Sequence, residues 1–236
     1  MISPAPLRHR DTLLKASTAV GFTALASGLA AMVLLHATSG LNPAFDVISI
    51  HLYTPLGWLL PVSLGLFALG ASAFALAARA SGAPRWLSAL LFVWSGCIAL
   101  VALFPTDPPT ASEYSPVHFV HRYAAFAAFC TMAGLGLAFS RWSRRTERCP
   151  ELVARAVAAC SWVAIVSLFV TSLPYGLDFV GAEAPWWADA AGFNQRMTVG
   201  SELVALAFLG GWLRRDSAEA VAAPARSVVR ERVLAA

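Results

Sequence analysis

Six stretches of predominantly apolar sequence, each close to the length that crosses a bilayer, constrain this chain more than any other feature. A hydrocarbon core about 30 Å thick takes roughly 20 residues of helix. The stretches cover about residues 16–36, 56–78, 86–104, 117–140, 152–173 and 197–213. In lipid every backbone polar group must be satisfied within its own segment or by a closed barrel. The short alternating segments of a barrel are not seen, so the stretches read as helices. Only 13% of residues are charged, about half the share in soluble domains, and mean hydropathy is +0.66. That excludes a soluble globular domain and a disordered chain. The expected fold is all-α: a polytopic membrane protein, a six-transmembrane-helix bundle with both termini cytoplasmic. It divides into a cytoplasmic N-terminal segment (1–15), the membrane domain (16–213) and a basic cytoplasmic tail (214–236).

Breaker residues punctuate the stretches. Asn42-Pro43 and Pro55 bracket the first loop, Gly82 and Pro84 the second, and Pro105, Pro108, Pro109 and Pro116 the third. Pro150 suits the first turn of the fifth helix, and Pro174 is expected to end it. Arg8, Arg10 and Lys15 precede the first apolar run, which is longer than the core of a signal peptide. It is read as a retained span.

Basic residues in short loops set orientation. Of the 17 Lys and Arg residues, 15 fall in the N-terminal segment, the second and fourth loops and the tail. Six spans put all of these on one side, the cytoplasmic side of a bacterial inner membrane. The formal charge of +4 therefore records orientation and gives no reason to expect a nucleic-acid partner. Membrane lipids are the expected partners. Cys97, Cys130 and Cys160 fall within spans and Cys149 in a cytoplasmic loop, so no structural disulfide is expected.

The polar residues of interest gather on the opposite side. His118 and Arg122 share a helical face, with His121 one position off it. Gln195, Thr198 and Glu202 form a stripe on the last span, with Glu202 roughly 9 Å inward of Arg196 at 1.5 Å per residue. A carboxylate at that depth is costly unless paired, protonated or wet. The simplest expectation pairs Arg122 with Glu202, and Arg196 with Asp107 or Asp178 at the rim. The candidate ligand-binding set is Asp46, His51, Asp107, His118, His121, Arg122, Arg196 and Glu202. A metal held by His118, His121 and His51 has only a lone HxxH spacing behind it, and a haem between histidines on facing spans has less. No metal and no cofactor is expected. Ser49 or Ser115 lacks the elbow motif of a hydrolase nucleophile, and no phosphate-binding glycine loop is present.

Other features have structural explanations. Ser17-xxx-Gly21 and Ala24-xxx-Gly28 are spaced for close helix packing. Trp58, Trp86, Trp142, Trp186, Trp187 and Trp212 fall near predicted span ends, as an aromatic belt does. Trp186 and Trp187 are expected on a short interfacial segment.

Asp46-Val-Ile-Ser49 before the second span, Phe104-Pro-Thr-Asp107 followed by His118, and Gln195-Arg196 opening the last span carry a resemblance. The chain resembles, over about residues 15–215, the six-span membrane family known as domain of unknown function 998. More distantly it resembles the Frag1/DRAM/Sfk1 group of six-span proteins. The resemblance implies an integral membrane protein and supplies no catalytic residues; His121 has no match in the family pattern. The leading reading is binding or sensing of a lipid or small molecule in an outward-facing polar pocket. An enzyme acting at the outer leaflet through His, Asp and Glu chemistry, with or without a metal's assistance, is the first alternative. A small-solute or proton-coupled transporter is the second.

Overall fold

The computed structural model describes the backbone of residues 5–183, 185 and 190–234, and the side chains of residues 10–174, 176–183, 185 and 190–215. All regular structure among these residues is helical: α1 (Ala5–Ser39), a 3₁₀ segment (Ile48–Tyr53), α2 (Leu59–Ser81), α3 (Arg85–Leu103), α4 (Pro116–Thr146), α5 (Glu151–Phe179) and α6 (Ala191–Leu234). Five of them, α1 to α5, are long and apolar enough to cross a membrane. The chain is a multi-pass membrane protein. α6, which carries Arg196, Glu202 and Arg214, is not among the five.

Most helix ends fall where the breakers predict. Gly82, at φ 77°, caps α2, and Pro84 precedes α3. Ser115 caps α4, with Pro116 in the first turn, where its missing N–H costs nothing. Pro150 precedes α5. Pro174 departs from expectation: α5 runs through it to Phe179. Pro174 lacks the N–H that would reach the Val170 carbonyl, a loss that membrane helices tolerate. The helices also extend past the bounds read from hydropathy, α1 back to Ala5 and α6 on to Leu234.

Each helix packs on the next in chain order, and α6 closes the ring against α1 and α2. Lipid is as apolar as leucine, so such packing relies on close approach and on hydrogen bonds between helices. The small-residue spacing on α1 meets α2 as expected. A Cβ on Gly21 would overlap the Phe74 ring, and one on Gly28 the Phe67 ring. The Ser63 hydroxyl donates to the Gly28 carbonyl at 2.7 Å. Phe74 is fully buried and also fills the space beside Gly210 on α6, so one ring wedges three helices together. Ser95 of α3 donates to the Ala68 carbonyl of α2, and Ser88 to that of Ala75. The outward faces keep large apolar residues exposed along the helices, among them Leu29, Leu69, Val93, Phe126 and Trp162, as a lipid-facing surface does.

The bundle has two ends of different character. At one, Arg10 donates to the Ala80 carbonyl and the Trp212 indole to that of Arg148. Trp212 does not serve the expected belt. It is 4% exposed and packs against Phe139 and Trp142 at centroid distances of 5.2 and 5.8 Å, inside the bundle. Trp186 and Trp187 lie outside the described residues. At the other end the first and third loops and the start of α6 come together around the candidate residues.

Candidate functional site

The first loop is fastened to the start of α6. Nη1 of Arg196 donates to the carbonyls of Pro43 at 3.0 Å, Asp46 at 2.6 Å and Gly192 at 2.9 Å. Gln195 accepts the Ile48 N–H at 2.6 Å, and the Phe193 N–H donates to the Ala44 carbonyl. A Cβ on Gly192 would collide with the Asp46 backbone, so glycine is what permits the close approach. The Asp46 carboxylate turns back to accept the Asn42 N–H at 2.7 Å. Arg196 thus does not pair with Asp107 or Asp178. Main-chain oxygens of the first loop reach it first, because the loop folds over the end of α6.

Nη2 of Arg196 lies 3.4 Å from Nε2 of His51. A guanidinium only donates, so Nε2 accepts and the imidazole proton sits on Nδ1, which is buried with no hydrogen-bond partner. His51 is 1% exposed and its ring lies against that of His36, 4.3 Å away and tilted by 32°. Burial, reinforced by His36 and then by Arg196, holds His51 below the usual imidazole range.

Asp107 and His118 form a second group. The Asp107 carboxylate accepts the Ser115 N–H at 2.5 Å and the Ser115 hydroxyl at 2.8 Å, and these bonds hold it below the usual carboxylate range. The Ser115 hydroxyl oxygen in turn accepts the His118 N–H, which caps α4. Nδ1 of His118 accepts from the Asp107 N–H at 3.3 Å and sits 3.0 Å from the Thr106 hydroxyl. Tyr114 stacks on the ring at 4.2 Å. The Ser115 hydroxyl proton therefore points to Asp107 and not to an imidazole nitrogen, as a helix cap requires and a serine nucleophile does not. Tyr53 joins the two groups by donating to the Thr106 carbonyl; burial first, and then Asp107, raises its phenol above the ordinary value.

The third feature is a narrow apolar cleft between α1, α2, α3, α4 and α6, with about 590 Å³ of empty space including its mouth. Ile48 and Ser49 of the first loop line one part of it, Phe67 and Trp94 another. Its polar wall holds His121, Gln195 and Glu202. His121 donates from Nδ1 to the Phe104 carbonyl at 2.8 Å. Glu202 is 2% exposed; its Oε2 accepts from the Trp94 indole at 3.1 Å, and Oε1 has no hydrogen-bond partner. The expected Arg122–Glu202 pair is not formed, because Arg122 lies on the exposed side of α4 while Glu202 faces inward. The polar stripe on α6 also splits. Gln195 and Glu202 face the cleft, whereas Thr198 turns to Ser167 of α5 at 2.8 Å.

Of the eight candidates, then, Asp46, His51 and Arg196 meet around the first loop. Asp107 and His118 meet at the cap of α4, His121 and Glu202 share the cleft, and Arg122 lies on the exposed side of α4. Among the described residues, no three His, Cys, Asp or Glu groups gather as a metal donor set. Trp94 is the partner that sequence reading missed. Its one signal was position: a tryptophan in mid-helix, away from the interfaces where that residue is usually found. No curated protein and no solved structure matches the chain. A family model matches residues 19–212, most of the bundle, and by that match this multi-pass membrane chain belongs to the family described as protein of unknown function DUF998.

Proposed function

We propose that this protein binds a lipid or another small amphiphile in the cleft between α1, α2, α3, α4 and α6. In this reading α6 is the sixth span and both chain ends are cytoplasmic. The cleft opens in the outer half of a bacterial inner membrane. The basic residues support the orientation: Arg10, Arg79, Arg85, Arg148 and Arg214 fall at one end of the bundle, and the first and third loops at the other. The observation that carries the binding reading is the cleft itself. It is apolar over most of its wall, as sites for small ligands are. It also holds a buried carboxylate with an unsatisfied oxygen. Arg196, expected to hold an anionic headgroup, instead fastens the first loop beside the cleft.

Native mass spectrometry of protein released from lipid nanodiscs tests this. Wild type should keep a bound lipid or amphiphile that a Val199→Phe variant, which fills the cleft, loses while staying folded. Equal retention by both proteins would overturn the reading.

A further inference from the structure

We propose that the head recognised by the cleft is a primary amine carried on an apolar body, and that it seats on Oε1 of Glu202. This rests on the reading of the cleft as a binding site.

The argument is one of unmet demand. Glu202 is 2% exposed, Oε2 holds the Trp94 indole, and Oε1 has no partner. None of the other polar groups on the wall, Ser49, His121 or Gln195, reaches Oε1. Nδ1 of His121 is turned to the Phe104 carbonyl, and Gln195 is held by the Ile48 N–H. The cleft lining contains no lysine or arginine. A carboxyl group at this depth stays ionised only if it meets both a donor and a compensating charge; without them it holds a proton. An ammonium provides both in one compact group. A hydroxyl provides the donor alone. A carboxylate or phosphate head would meet Glu202 as a like charge. The narrowness of the cleft favours a small unbranched head, and its apolar walls fit an aliphatic body.

The test uses the full chain in zwitterionic nanodiscs, with empty nanodiscs as reference, and three water-soluble probes of one length: hexylamine, hexanol and hexanoate. Equilibrium dialysis should show wild type binding hexylamine about tenfold more tightly than hexanol, the gain expected of a charge-assisted bond in a dry site, with hexanoate weakest. Glu202→Gln should erase the preference for the amine, bringing hexylamine to the level of hexanol. Trp94→Phe keeps the carboxylate and should keep the amine preference, so it decides the matter if Glu202→Gln does not fold. Amine and alcohol binding equally to wild type, with both lost in Val199→Phe, would overturn the amine head and leave the cleft standing. Tightest binding of hexanoate would also overturn the amine head. Binding of none of the three above the empty discs would overturn both readings.

Discussion

The Trp94 indole of α3 donates a hydrogen bond to the Glu202 carboxylate of α6 at 3.1 Å, across the cleft. Among the described residues it is the one hydrogen bond to that carboxylate, whose other oxygen is unpartnered. Replacing Trp94 with Phe removes the donor and leaves the carboxylate buried. The loss should be about 1–3 kcal/mol, the penalty for an unsatisfied buried polar group. Adding Glu202→Leu to Trp94→Phe should restore most of it, because the stranded carboxylate is gone as well. Thermal denaturation in detergent measures both steps, and a double variant less stable than Trp94→Phe alone would contradict the argument.

Arg196 fixes the first loop through the carbonyls of Pro43 and Asp46, and is steadied on its own helix by that of Gly192. Lysine keeps the charge but lacks the planar fork that reaches several acceptors at once. Arg196→Lys should therefore loosen residues 43–48 by about 1.5–3 kcal/mol, the range for hydrogen bonds to charged groups. Hydrogen–deuterium exchange is the readout: protection should fall in the first loop and at the start of α6, and stay constant in α2 and α3. Unchanged exchange in the loop would show that Gln195 and Phe193 hold it alone.

Phe74 occupies the space that glycines leave at 21 and 210. Gly21→Val should cost about 1–3 kcal/mol through overpacking. Phe74→Leu, itself destabilising, should offset part of that cost when combined with Gly21→Val. The sign of the coupling in a double-mutant cycle is the check; strictly additive effects would mean that the ring does not set the α1–α2 spacing.

His51 makes stability depend on pH. Its folded value is below the ordinary imidazole value, chiefly through burial, then through His36 against it and Arg196 facing it. Above the ordinary value, both folded and unfolded chains carry His51 neutral, and stability is complete. As pH falls below that value the unfolded chain takes up a proton that the folded chain resists, so stability declines until the folded value is reached. Melting temperatures between pH 7.5 and 5.5 should fall, and His51→Gln should flatten that slope. An equal slope in the variant would assign the effect to another group.

The sequence by itself determined the class of fold. Hydropathy is additive over about 20 neighbouring residues, and cap and loop residues such as Gly82, Pro84 and Ser115 act within a turn of where they stand. Such local signals survive without knowledge of the tertiary structure. Pro174 shows the limit of even that logic: a proline that would end a helix in water can be carried inside a membrane helix, and α5 runs through it to Phe179. The tertiary structure alone decided which polar residues meet. The helices are apolar nearly all round, so no amphipathic stripe announces how each is rotated. Rotation is what sends Thr198 to α5 while Gln195 and Glu202 face the cleft, places Trp94 against Glu202, and keeps Arg122 on the outer side of α4. Charge complementarity suggested Asp107 or Asp178 for Arg196. The folded first loop brought main-chain oxygens closer, and at hydrogen-bonding distance geometry outweighs formal charge.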